Sequence, residues 1–352
     1  MKNILSPRLF GINNNSNRDF TKEEAWGKNQ FNSSFPAALC NYFNYKKIDA
    51  NYLNFDGSKH NISNISIDEL YGSSANDESI FFAFETQFVP YAPKIIGSLP
   101  RTDLVIQKNG ICLRGLEIKL TAIPDNTTYN LSEENYGCEL VVRPDTIVYL
   151  ASSIAMNFTD KIKKIFESLN IKDWSDPKQV IQYIDIIISR LKKITELLYE
   201  KQSPFLLQPI WKTKGKKAEL ADFCLDVFVW SDIALTVFIT DIANSDVNVN
   251  GINRQTRTAI WLYKMLDDMA NNGQCDSKNI IDKLAFNTKN DKAFASSGRI
   301  TNPYMKCANL IKPRIHKSEI RNIILGGGQN LLSPERRFDA IIVNSPNLFI
   351  EV

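Results

Sequence analysis

The alternation of apolar and polar positions is sharpest between Pro100 and Thr121. Two runs rich in Leu, Val and Ile flank Asn109-Gly110. Both residues tolerate the positive φ of a type I′ turn, so the stretch predicts a β-hairpin. Side chains alternate between the two faces of a strand. Leu104 and Ile106 therefore point away from Asp103, and Leu116, Ile118 and Leu120 point away from Glu117 and Lys119. Each strand keeps one apolar face, and the opposite faces could bring Asp103, Glu117 and Lys119 together.

Upstream, residues 1–20 are polar and Asn-rich and read as an arm or loop. Thr21 with Glu24 fits a capping box, predicting a helix through Trp26 towards Phe43 that Pro36 kinks or divides. Phe35, Leu39 and Phe43 form its apolar stripe. Glu23 or Glu24 could add a carboxylate from this helix or lie on a solvated face. Residues 50–78 read as irregular chain with a short strand or two. Ile80 to Val89 is apolar apart from Glu85. A carboxylate there is either an edge-strand charge or a third acidic ligand near Asp103.

Downstream, Pro124 to Tyr136 reads as a loop and Glu139 to Val142 as a strand closed by Arg143-Pro144. Asp145 is expected to cap a helix from Thr146 to Met156. Arg143 suits a phosphate contact, or a salt bridge to Asp145 or Glu139. Residues 157–202 carry helical signals, including a start at Ser175-Asp176-Pro177 and a stripe from Val180 through Ile184, Ile187 and Leu191 to Leu198, a core or dimer helix. Lys212, Lys214, Lys216 and Lys217 follow Trp211 in what reads as a flexible loop, against a DNA backbone or simply solvated. Leu225 to Trp230 reads as a strand, and Ile233 to Ile239 as a strand or buried helix. Arg254 to Ala270 predicts an amphipathic helix with Ile260, Leu262, Met265 and Met269 inward. Arg254 and Arg257 at its start suit a phosphate. Lys292 to Arg321, including Arg299, is a second basic stretch, a DNA face or a solvated one. Gly326-Gly327-Gly328 lacks the GK[ST] of a nucleotide-phosphate loop. Arg336 and Arg337 could read guanines or pair with Glu335 and Asp339, and Phe338 to Val343 reads as a closing strand.

Composition narrows the chemistry. The chain has 352 residues, 43% of them hydrophobic, enough for a sizeable core. Its 42 basic and 39 acidic residues nearly cancel, so any basic surface must be local. Its six cysteines form no CxxC pair, and its histidines are His60 and His316 alone. Structural zinc and histidine-assisted nucleophiles are thereby disfavoured. Scattered cysteines and no secretory signal predict a reducing cytoplasm, and no run is long enough to span a membrane.

Two carboxylates at a sheet edge repel unless a cation sits between them. Mg²⁺ takes carboxylates, carbonyls, water and phosphate oxygens. Asp103 and Glu117 could hold it, with the Ile118 backbone carbonyl a further ligand and Glu85 another candidate. Lys119 could orient the attacking water, help it lose a proton, or balance transition-state charge. This is the chemistry of phosphodiester hydrolysis, although Glu117 with Lys119 could also be an ordinary surface ion pair. The pattern resembles the PD-(D/E)xK nuclease motif, written Pro100-Arg101-Thr102-Asp103 and Glu117-Ile118-Lys119. It departs from that motif in the two residues between Pro100 and Asp103.

Four blocks, residues 26–36, 113–121, 137–147 and 331–339, resemble in the same order the HindVP family of type II restriction endonucleases. The resemblance implies a restriction-endonuclease-like α/β core, with a mixed central sheet flanked by helices and a helix-rich C-terminal half. Residues 1–155 would form the nuclease core. Residues 156–352 would form a recognition and dimerisation portion packed continuously with it. It further implies a Mg²⁺-dependent homodimer cutting double-stranded DNA at a short palindrome of the GRCGYC kind, and a cognate DNA methyltransferase as functional partner. Two alternatives use the same residues: a repair or recombination nuclease, and a non-catalytic DNA-binding protein of the same fold.

Overall fold

The computed structural model describes residues 39–40, 42–56, 59–74, 77, 79–118, 140–214, 219–245, 251–286, 294–296, 304 and 313–326. Within them the chain forms a mixed α/β arrangement around one large sheet. Its strands are β1 (Ala50–Phe55), β2 (His60–Ile65), β3 (Ile80–Thr86), β4 (Thr102–Lys108), β5 (Ile111–Ile118), β7 (Pro204–Thr213), β8 (Leu220–Ser231) and β10 (Ile315–His316). The order across the sheet is β2-β1-β8-β7-β5-β4-β3, with β10 also pairing β8. The β1–β8 and β5–β7 pairs are parallel and the other pairs antiparallel. A second sheet joins β6 (Leu140–Val142) to β9 (Phe294–Ser296).

Helices cover both faces. They are α1 (Ile67–Tyr71), α2 (Pro144–Asn157), α3 (Thr159–Ile162), α4 (Pro177–Ile181), α5 (Ile184–Leu198), α6 (Asp232–Ser245), α7 (Arg254–Asn272), α8 (Ser277–Lys283) and α9 (Lys317–Gly326). The period-2 alternation of the strands sorts their side chains into two cores. Val105, Leu206, Phe228 and Trp230 join α2, α5, α6 and α7 in the larger one. Leu104, Ile106, Leu116, Ile118, Leu207 and Val229 join Leu39, Phe43, α1 and α9 in the smaller one. β7 and β8 come from beyond residue 155 and lie in the same sheet as β4 and β5, so both portions build the frame of the hairpin.

Several elements differ in detail from expectation. The 50–78 stretch holds two short strands, as expected there, paired with each other, and in addition an unexpected helix capped by the Ser66 side chain. The N-cap of α2 is Arg143, with Pro144 and Asp145 inside the first turn. Proline at the first helical position loses no bond there, which is why the helix begins earlier than Asp145 would suggest. The 180–198 stripe is broken between α4 and α5. Of the two readings open for Ile233 to Ile239, the buried helix is the one observed, within α6. Residues Gln208 to Thr213 lie in β7, so the basic stretch begins on a strand and not in a flexible loop. The predicted helix start at Thr21, the 124–136 loop and the 338–343 strand lie outside the described residues.

The C-terminal part is fastened to the sheet by a charge pair. Asp226 on β8 is fully buried. Arg314 donates to both of its carboxylate oxygens, Nε at 3.0 Å and Nη2 at 2.7 Å, and Nη2 also reaches the Asp49 carbonyl at 2.6 Å. Burial pushes the Asp226 carboxyl up and Arg314 pulls it back. Arg314→Met leaves that carboxylate buried without its cation, and should destabilise the fold by about 3 kcal/mol or more. Adding Asp226→Leu should recover much of the loss. Urea denaturation of the two variants beside the parent checks both.

Candidate active site

The hairpin forms as predicted at its tip. Asn109 and Gly110 have φ of 51° and 77°, the signs a type I′ turn requires. Lys108 then pairs with Ile111 and Gln107 with Cys112. Next the register shifts: Ile106 pairs with Arg114, Val105 with Gly115 and Leu104 with Leu116. Leu113 is therefore an extra residue, a β-bulge. One position further on, the shifted register sets Asp103 opposite Glu117. Residues directly opposite share a face, with Cβ atoms about 5 Å apart. Without the bulge, Asp103 would fall opposite Leu116 and the carboxylates would occupy different faces. Simple alternation overlooked this, although counting outward from Asn109-Gly110 would have exposed it.

The other edge of β4 continues the row. Phe84 pairs with Leu104 and Thr86 with Thr102, so Glu85 takes the register position opposite Asp103. Three neighbouring strands thus carry an acidic residue at one level. The Glu85 side chain lies outside the described residues, as does Lys119. Among the described residues no group of three or more His, Cys, Asp or Glu is placed to hold a metal.

Hydrogen bonds fix the pair. The Ile118 N–H donates to Asp103 Oδ2 at 2.7 Å, and Thr102 Oγ1 donates to the Leu116 carbonyl at 2.9 Å. The two motif strands are therefore tied by side chains on either side of the acidic level. Asp103 is half-buried, and Glu117 is only 7% exposed, its strand paired on the far side with Leu206 of β7. Two carboxylates so placed form an all-oxygen donor set suited to a hard divalent cation, which removes the cost of holding their charges together. Ile118 ends β5 beside Leu207, which puts its carbonyl next to the pair along the chain.

A sequence profile of the HindVP restriction endonuclease family matches residues 26–349. The chain belongs to the HindVP restriction endonuclease family. It is 50% identical over 348 residues to a protein of Haemophilus influenzae described as a probable type II restriction enzyme HindVP, covering 98% of this chain and 96% of that one. It is 46% identical over 358 residues to the type II restriction enzyme HgiDI of Herpetosiphon aurantiacus, covering 99% of each. No solved structure matches it. Membership in the HindVP family makes the chain a site-specific deoxyribonuclease.

In this HindVP-family chain the candidate DNA contacts fall into different settings. Arg143 is exposed at the N-cap of α2 and Arg254 is exposed at the start of α7. Lys212 is half-buried on β7, and exposed Lys214 pairs with Glu219 at 2.9 Å. Arg257 departs from expectation. It is fully buried, with its guanidinium 4.5 Å from the centroid of the Trp261 ring. α7 is buried around most of its circumference, so a position at the helix start is not a surface position there. Arg314, within the second basic stretch, is committed to Asp226. Lys216, Lys217, Arg299, Arg336 and Arg337 lie outside the described residues. Among the described residues no helix is long and apolar enough to cross a membrane.

A further buried acid belongs to the scaffold. Asp232 opens α6, and its Oδ2 accepts from Ser153 Oγ of α2 at 2.7 Å. Burial pushes its carboxyl up to about 7, against the pull of Ser153, Arg114 and Lys201. The folded protein then keeps a proton that the unfolded chain releases near pH 4. Stability should fall as pH rises from about 4 through about 7 and level off above. Asp232→Asn keeps an acceptor for Ser153 and removes that slope. The stability difference between about pH 5 and about pH 8 should shrink by roughly 2–3 kcal/mol, measured by denaturant unfolding at each pH.

Proposed function

We propose that the chain is a type II restriction endonuclease of PD-(D/E)xK type that cuts both strands of DNA by Mg²⁺-dependent hydrolysis. The observation that carries this reading is the bulged register that sets Asp103 opposite Glu117 at the base of the hairpin. Asp103 and Glu117 hold the ion, with the Ile118 carbonyl as a further ligand. The Ile118 N–H on Asp103 Oδ2 keeps that carboxylate turned towards β5. A bound Mg²⁺ supplies neutralising charge at the phosphate and acidifies a coordinated water. Lys119, two residues beyond Glu117 in the sequence, orients the attacking water and takes up or balances charge as it loses its proton.

Arg143, Arg254, Lys212 and Lys214 are the described candidates for phosphate contacts. Lys216, Lys217, Arg299, Arg336 and Arg337 complete the proposed set, with base reading assigned to the two C-terminal arginines. A homodimer facing a palindrome puts one acidic pair on each strand. The GRCGYC-like target and the partner methyltransferase rest on the family resemblance.

Plasmid incubated with the protein and Mg²⁺ should give discrete bands. A smear would favour a non-specific repair nuclease, and intact plasmid a binding protein. Asp103→Ala should lower cleavage by about 10³-fold or more while DNA binding persists, since it removes a metal ligand and adds no new clash. Parental cleavage by that variant would sink the site assignment. Glu85→Gln separates the two roles open to that position. A third ligand predicts a weaker response to Mg²⁺ in cleavage assays, and an edge-strand charge predicts none.

A further inference from the structure

The connection from β3 to β4 runs from Gln87 to Arg101 and leads into the strand that carries Asp103. Tyr149, on α2, is fastened to both of its ends. Its hydroxyl accepts from the Phe88 N–H at 3.0 Å and donates to the Pro100 carbonyl at 2.8 Å. Burial raises the pKa of that hydroxyl, and the charges of Glu117 and Asp145 raise it further, so the proton needed for the bond to Pro100 stays in place.

Phe88 carries the connection on to the other motif strand. A Cβ on Gly115 would come within 3.0 Å of the Phe88 side chain, so strand and ring are already in close contact. Gly115 stands two residues before Glu117. Tyr91 fills the space alongside, its ring 4.8 Å from Phe88 and 5.8 Å from Tyr149. One hydroxyl therefore joins α2, the start of the Asp103 strand, and the ring packed against the Glu117 strand. Gln87 closes the connection independently, with Nε2 donating to the Leu99 carbonyl at 2.6 Å and to Ser98 Oγ at 3.1 Å. Loss of the Tyr149 hydroxyl would thus leave the connection closed and still packed on α2 through Tyr91, but without the two bonds that fix Phe88 and Pro100 to the helix.

We infer that Tyr149 is a positioning residue, holding β4 and β5 in the relative placement at which Asp103 and Glu117 can share one cation. The inference rests on the metal-site reading above. Thr102 and Asp103 bind β5 through their own side chains, so a shift at Pro100 passes directly to the acidic level. Displacements of about 1 Å in such a constellation cost up to roughly 10²-fold in rate.

Tyr149→Phe keeps the ring and removes only the hydroxyl. At saturating DNA its kcat should fall by about 10- to 100-fold. Half-saturation by Mg²⁺ should move to higher concentration, and DNA affinity measured with Ca²⁺ in place of Mg²⁺ should not change. Tyr263→Phe is the matched control, losing a hydroxyl that Arg190 reaches at 2.6 Å on a different helix, and should cleave as the parent does. Parental kcat and parental Mg²⁺ dependence in Tyr149→Phe overturn the inference. An equal loss in Tyr263→Phe also overturns it, because the effect is then general destabilisation. Should Tyr149→Phe fail to fold, amide exchange in the parent decides: Mg²⁺ should slow exchange of the Phe88 N–H, and exchange indifferent to Mg²⁺ overturns the coupling. Asp103→Ala keeps the two readings apart. If it still cleaves, the metal site is wrong. If it is inactive while Tyr149→Phe is fully active, only the positioning role fails.

Discussion

The face on which a strand presents a carboxylate is decided by register, and a slip of one residue reverses it for the whole strand. In this chain the turn and the site ask for different registers. Asn109-Gly110 sets Lys108 against Ile111, which carried down the ladder would oppose Asp103 with Leu116. Accommodating Leu113 as an extra residue resolves the conflict, and below it Asp103 meets Glu117. The bonds from Ile118 to Asp103 and from Thr102 to Leu116 exist only in that shifted register.

The two cores explain why the bulge persists. Leu104 and Ile106 of β4 and Leu116 and Ile118 of β5 all fill the smaller core. An unbulged ladder would turn one strand's set away from the other's, removing two large apolar side chains from that core. Each is worth about 1.5–3 kcal/mol when fully buried. It would also drive Glu117 into the smaller core, where an unpaired carboxylate is costly. Packing in the smaller core therefore selects the register in which Asp103 opposes Glu117, and the single unpaired residue is the lesser cost.

Legibility followed the same physics. The turn could be read because Asn-Gly has a local conformational signature, and Asp103 and Glu117 each as a charge opposite the apolar face of its own strand. The bulge could not be read from alternation, since each strand alternates correctly by itself and only their pairing discloses the extra residue. Glu85 was recognisable as a charge in an apolar run, but its level beside Asp103 depends on the β3–β4 register. Cations were the least legible class. Arg257 and Arg314 look in sequence like the other basic residues, yet one lies against Trp261 inside α7's packing and the other clamps Asp226. A long guanidinium side chain can serve a core or a surface, and only tertiary contacts tell which.

α2 brings these strands of reasoning together. Its N-cap is the exposed Arg143, its second turn carries Tyr149, and the next turn carries Ser153 bonded to Asp232. A helix bonded at successive turns to the Asp103 connection and to α6 has little freedom to move against the sheet. A phosphate engaged at its N-terminus would therefore stand in a set relation to the acidic level. On the proposed reading, DNA placement and metal placement would then be one geometric property of the scaffold, built from both the early and the late parts of the chain.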